Sequence, residues 1–264
     1  PAPEPVTKPS DYSKTNIQEA GVDEADIVKT DGNFIYTLAN NKLIICKSYP
    51  PNQAEVINTL TFERTELLPV DLFLMDTTLV VIGKSIFIRD IPEGSYDVSI
   101  RPYRCTMTKA IIYDITDRQN LSLLRTVEID GAYLTSRRIG NILYLLASRR
   151  LFKYGNYPYP ELESPIYTDS ALIDEFISLD YSEIEYFPFL QKAHFLTVSA
   201  LDLTDTTLPM NVTSYITPSK DVYVSQENIY VAHYNGFNRM PIMWGWFPFI
   251  TPNPKCYIFK INLD

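Results

Sequence analysis

Apolar residues in this chain fall in short runs separated by turn formers, and helical periodicity is nearly absent. Runs such as Leu43-Ile44-Ile45 and Leu143-Tyr144-Leu145-Leu146 are apolar at successive positions. In a strand, successive side chains point to opposite faces, so such runs predict sheets covered on both sides. Between the runs stand Asp31-Gly32, Asn40-Asn41, Pro50-Pro51-Asn52 and Gly140-Asn141, residues that reverse an extended chain. One segment reads differently. Asp169 and Ser170 precede Ala171-Leu172-Ile173-Asp174-Glu175-Phe176-Ile177, where Ser170 would cap a helix with Ile173, Phe176 and Ile177 on one face.

The runs repeat. Asn33-Phe34-Ile35-Tyr36-Thr37-Leu38-Ala39 returns as Asn141-Ile142-Leu143-Tyr144-Leu145-Leu146-Ala147, and in shorter form as Asn228-Ile229-Tyr230-Val231-Ala232. A second motif, Asp114-Ile115-Thr116-Asp117, returns as Asp202-Leu203-Thr204-Asp205. A carboxylate that bonds nearby backbone amides is a good turn former, so this repeat reads as a repeated turn rather than as paired catalytic acids.

In register, the copies give a four-strand unit, a to d. The first is Ala25–Thr30, Phe34–Ala39, Lys42–Lys47 and Glu55–Phe62. The second is Val70–Met75, Leu79–Gly83, Lys109–Asp114 and Leu121–Ile129. The third is Tyr133–Arg138, Ile142–Ala147, Phe195–Leu201 and Asn211–Ile216. The fourth is Val222–Ser225, Ile229–His233 and Cys256–Ile261, with no strand d. Serial four-stranded antiparallel units predict an all-β chain, a β-propeller of about four blades, forming a partial ring or a small propeller. The expected division is a Pro-rich linker and N-terminal strand over 1–20, then blades over 24–63, 68–130, 131–217 and 220–264. In a small ring, Thr15–Glu19 would supply the missing outer strand beside Cys256–Ile261.

Composition narrows the function. A net charge of −9 offers no basic field for nucleic acid or for an anionic lipid surface. No apolar run approaches the ~20 residues that span a bilayer as a helix. Three cysteines, Cys46, Cys105 and Cys256, show no CxxC or metal-ligand spacing. Cys46 reads as a small buried hydrophobe, while a Cys105–Cys256 bridge stays open.

Two regions carry candidate chemistry. In a propeller the a strands line a central channel, and here they bring the polar residues Asp26, Lys29, Asp71, Arg137 and Ser225, with Arg137 in need of a partner, and Tyr133 as a further binding candidate. The b–c connections of units two, three and four are expanded, about Lys84–Thr108, Ser148–His194 and Tyr234–Lys255, whereas unit one has only Asn40-Asn41. Long connections on one face mark a candidate binding surface. They carry Tyr157 and Tyr159 in one and Trp244, Trp246 and Phe247 in another, rigid side chains that bury much area at low entropic cost. The competing reading is that these aromatics pack on their own blades. The carboxylates Asp23, Asp26 and Asp31 raise calcium as a ligand, but their spacing is not that of an EF-hand. His194 and His233 each stand alone in sequence. An enzyme acting on polysaccharide is the alternative. It would need Asp26 and Asp71 near Arg137, with their carboxyl groups about 5–10 Å apart.

Several segments resemble a known family. These are Thr15-Asn16-Ile17-Gln18 followed by Gly21-Val22-Asp23-Glu24-Ala25-Asp26-Ile27-Val28-Lys29-Thr30-Asp31-Gly32, then Tyr113-Asp114-Ile115 with Asp117, Ser136-Arg137 before Ile139-Gly140, and Tyr223-Val224-Ser225 with Asn228-Ile229-Tyr230. They are similar to the secreted bacterial and archaeal proteins with a β-propeller domain distantly related to WD-40 repeats. The resemblance implies the fold and export, and no chemistry. It also implies that this chain corresponds to roughly the N-terminal half of that domain, so that the rest of the propeller would be one of its partners. The combined expectation is a non-catalytic module at the cell surface or outside the cell, without a cofactor, that binds protein or glycan.

Overall fold

The computed structural model describes residues 19, 21–89, 103–151, 164–187, 193–217, 221–242 and 245–263. They form sheets that are antiparallel except for one short parallel pair, joined by turns, with two single 3-10 turns as the only helical pieces among them. A short strand β1 (Val22–Glu24) leads into the first sheet, β2 (Val28–Thr30), β3 (Phe34–Ala39), β4 (Lys42–Lys47) and β5 (Glu55–Thr61). The second sheet is built on β6 (Leu68–Met75), β7 (Thr78–Arg89), β8 (Tyr103–Asp114) and β9 (Ser122–Asp130). The third begins with β10 (Ala132–Ile139) and β11 (Ile142–Arg150). Between β11 and its next strand lie β12 (Ile166–Asp169), β13 (Ile173–Ser178) and β14 (Ile184–Tyr186). The sheet then continues with β15 (His194–Asp202) and β16 (Asn211–Thr217). The fourth sheet has β17 (Asp221–Val224), β18 (Asn228–Ile242) and β19 (Gly245–Asn262).

These are blades stacked face to face, and strand alternation shows why the apolar runs are continuous. On β7, Leu79 and Val81 enter a core shared with Tyr36, Leu43 and Ile45 of blade one. The residues between and after them, Val80 and Ile82, enter a second core with Leu143, Leu145 and Ala147 of blade three. A third core joins Leu146, Leu196 and Val198 of blade three to Val224, Ile229, Val231 and Ile261 of blade four. The central strands of blades two and three thus feed two interfaces each, and both faces of these strands are largely apolar.

Turn chemistry sets the geometry. Asn40 and Asn41 both take left-handed backbone angles (φ 52° and 60°), which twist the β3–β4 hairpin to match its strands. Gly131 alone links β9 to β10, at φ +119°; a Cβ there would stand 2.8 Å from the carbonyl carbon of Ser148. Because strand direction alternates along a blade, strand b ends on the same side as strand d, where the link to the next blade begins. The b–c connections are therefore gathered on one side of the array.

The expected helix over 169–177 is absent. Its residues form the hairpin β12–β13, which adds to the free outer edge of β9, so blade two has six strands. The Asp169 carboxylate accepts from Ala171 N at 3.0 Å, and the Asp169 carbonyl accepts from Leu172 N at 2.9 Å, which closes a turn instead of starting a helix. Ser170 Oγ accepts from Thr126 N on β9. Phe176, assigned to a helix face by its spacing, packs on Phe87 with ring centroids 4.4 Å apart. An available sheet edge outweighed weak helical propensity.

Candidate binding surfaces

Among the described residues, the b–c side is built largely of strand. Strands β7 and β8 pair as far as Arg89 and Tyr103, and β18 and β19 pair as far as Ile242 and Gly245. These two ribbons differ in support. That of blade two is backed by the third blade's insertion: Cys105, Met107 and Ile166 form a small core with Phe87 and Phe176. In blade four, β17 pairs with β18 only between Asp221↔Ala232 and Val224↔Ile229. Beyond Ala232↔Ile258 the β18–β19 ribbon is two-stranded among the described residues, with a register shift between Asn235 and Phe237. In backbone register, Trp246 lies opposite Pro241 and Phe247 opposite Met240, near the ribbon's end. Trp244, Tyr157 and Tyr159 lie outside the described residues.

The third insertion is mainly a packing element. Besides β12–β13, it returns along the outer edge of blade three, where β14 pairs in parallel with β16. Phe187 then stacks on Tyr215 at 6.0 Å and meets Phe259 of blade four at 4.7 Å. A buried ion pair fastens it to blade two: Arg125 Nε and Nη2 donate to the two oxygens of Asp169 at 2.8 and 2.6 Å, and these side chains are 1% and 0% exposed. Met210 N, from the β15–β16 connection, donates to the same carboxylate at 2.9 Å. Burial raises the carboxyl's pKa, but these donors outweigh it and hold Asp169 below the ordinary value. Sequence reading missed this pair because its partners are 44 residues apart, one on strand d of the second unit and the other in the insertion of the third, which only the fold brings to the same sheet.

The inner edges carry a segment of the chain itself. Glu19 and residues 21–30 run along them, touching blades four, three, two and one in turn. Tyr223 OH on β17 donates to Glu19 at 2.9 Å. Strand β1 pairs antiparallel with β10, in the register Val22↔Ile139, Asp23↔Arg138 and Glu24↔Arg137. Asp26 and Leu72 exchange backbone hydrogen bonds of 3.2 and 2.8 Å on β6. The segment then becomes β2, the inner strand of blade one. Glu19 thus meets the inner strand of blade four, not an outer-edge position; Thr15–Gln18 lie outside the described residues.

Each candidate on this edge has an identified place. Tyr133 OH donates to Asp71 at 2.6 Å and shares a 2.7 Å hydrogen bond with Ser136 Oγ, which ties blade three to blade two. Burial, then the Asp71 charge, pushes the Tyr133 phenol far above its ordinary pKa, so it serves as a fixed donor. Arg137 finds its partner in Glu24 at 3.5 Å and also donates to Thr135 and the Ser136 carbonyl. Asp23 faces two cations, Lys29 at 3.3 Å and Arg138 at 3.0 Å. Asp26 accepts from Ile27 N at 2.7 Å. Asp31 accepts from Arg118 at 2.8 Å, from Tyr36 OH and from the amides of Asn33 and Phe34; burial raises its pKa, but these donors outweigh it and hold the carboxyl low. Asp23, Asp26 and Asp31 thus have separate local partners. Among the described residues no group of three or more His, Cys, Asp and Glu is placed to hold a metal ion.

The Asp114 and Asp202 motifs are repeated turns. Each carboxylate accepts from the N–H and hydroxyl of the threonine two residues on, Thr116 and Thr204, and is held below its ordinary pKa by those bonds. Cys46, Cys105 and Cys256 are free thiols. No helix among the described residues is long and apolar enough to cross a membrane.

A family profile described as "Beta propeller domain" matches residues 12–264. An uncharacterized protein of Methanocaldococcus jannaschii is 28% identical over 196 residues. That stretch is 69% of this chain but only 26% of the relative. No solved structure matches the chain. Repeated sheets, shared cores between neighbours and a match over nearly the whole length agree: the chain belongs to the Beta propeller domain family.

Proposed function

We propose that this domain is a non-catalytic binding module, working outside the cell, that engages a protein or glycan on its b–c face. A β-propeller is a general scaffold for binding and interaction, and the finer reading rests on the fourth blade. An isolated two-stranded ribbon is marginal in water. The β18–β19 ribbon nevertheless continues past its third strand to Ile242 and Gly245. A stretch containing Arg239, Met240, Trp246 and Phe247 on such an excursion has the composition of a recognition surface. The inner-edge carboxylates speak for binding over hydrolysis, because Asp71 is engaged by Tyr133 and Asp26 by its own turn. Extracellular placement rests on the resemblance to exported proteins.

The test is direct. The domain, and its variant with Trp244→Ala and Trp246→Ala, is applied to an oligosaccharide array and to a cross-linking pull-down from cell-surface protein. Any ligand of the ribbon should lose at least tenfold in retention with the double variant. Ligands retained equally by both proteins would overturn the assignment of this face.

A further inference from the structure

We propose that the inner edge of β10 is a strand-accepting site for an extended acidic peptide, occupied here by the chain's own residues 21–26. The site is distinct from the b–c face.

Three observations carry it. First, β1 meets β10 over three residue pairs, whereas β10 meets β11 over seven. Local opening is cheapest where the ladder is shortest. Second, the charge match follows the register. Asp23 lies opposite Arg138 and Glu24 opposite Arg137, so one acid–arginine pair stands on each side of the strand, while Val22 is 1% exposed and anchors the end. An edge strand offering unpaired backbone groups binds extended chain, and side-chain positions choose which chain. Here an apolar–acid–acid triplet is selected. Third, the four charged side chains keep between 17% and 23% of their surface exposed, so water and a competing chain can reach them. The net charge of −9 opposes an acidic ligand at long range, but exposed charges are screened beyond about 8–10 Å, and the contacts that decide are within 3.5 Å.

Bound in cis, Glu19 and residues 21–26 act as a strap across blades four, three and two. Released, they leave the β10 edge and both arginines to a partner's extended acidic segment.

Two measurements on the full chain test this. Hydrogen exchange should show the amides of residues 22–26 opening well before those of the β7–β8 ladder, by at least a hundredfold in rate. Next, a fluorescein-labelled peptide of residues 19–27 is titrated against three proteins. The variant carrying Asp23→Asn with Glu24→Gln, whose own strap is weakened, should bind it at least tenfold more tightly than the unmodified chain does, and less tightly as salt rises. The variant carrying Arg137→Glu with Arg138→Glu should not bind. Strap amides as protected as β7–β8 would overturn the proposal by making the segment part of the core. Equal peptide binding by all three proteins, or by none, would overturn it as well.

Discussion

Blades two and four share strand chemistry but not surroundings. Blade two has six strands, and its β7 side chains feed a core on either side. Blade four has three described strands and one covered face. Ile229 and Val231 are buried against blade three, while Tyr223 and Ile258 on the other face are 46% and 69% exposed. Both sequences are β-branched and aromatic, as strands prefer. The difference teaches that propensity makes the sheet and the neighbouring blade makes the stability. Burial of an apolar side chain stabilises by about 25 cal/mol per Å² removed from water, and only blade two gains this on both faces.

The hardest blow to blade two would be Asp169→Ala. It strands Arg125 in the core and unfastens the β12–β13 hairpin and the β15–β16 connection together. Breaking a buried pair from one side costs about 3–5 kcal/mol. The urea midpoint should fall accordingly. A second change, Arg125→Met, removes the stranded charge and should recover part of the loss. A single-variant loss under about 1 kcal/mol would mean that the pair is not what holds the insertion.

Truncation of one apolar side chain on each blade makes the contrast quantitative. Ile82→Ala, in the core between blades two and three, should cost about 2–5 kcal/mol. Ile258→Ala, on the open face of blade four, should change stability by no more than about 0.5 kcal/mol. A large loss from the second would mean that another body covers that face in solution. Chemical denaturation of both variants, with exchange mapped by blade, decides between these outcomes.

The same contrast explains what sequence reading could and could not see. Strand positions were legible, because alternation and turn residues are local: β3 and β4 fall on the predicted Phe34–Ala39 and Lys42–Lys47. The Asp114 and Asp202 turns were legible for the same reason. The insertion was not. Ile173, Phe176 and Ile177 have helical spacing, and only the free edge of β9, some 40 residues earlier in the chain, makes that segment a hairpin. For the candidate site, Asp71, Tyr133 and Arg137 were picked out as inner-strand polar residues. Their partners were harder to foresee: Tyr133 joins Asp71 62 residues away, and Glu24 arrives on a segment assigned to blade one. Ser136, the second partner of Tyr133, gave no signal beyond its place in a motif.

The smallest expected effect compares junctions by charge. Blades one and two are locked by Asp31, Tyr36 and Arg118, with Arg118 also 4.5 Å from the centre of the Phe34 ring, whereas the core between blades three and four is apolar. Asp31 has a folded-state pKa below its unfolded value of 3.8. Its contribution is therefore fully present well above pH 3.8 and is lost as pH falls through the depressed folded value. Between pH 5 and pH 2, exchange protection should fall at the β2–β3 turn and the loop carrying Arg118 before it falls at β11 and β15. Asp31→Asn should flatten that local acid response. Because the pair is partly exposed, the loss at pH 7 should stay near about 1 kcal/mol or below. An acid response at this junction unchanged by Asp31→Asn would assign it to other carboxylates, and the two junctions would then differ in packing alone.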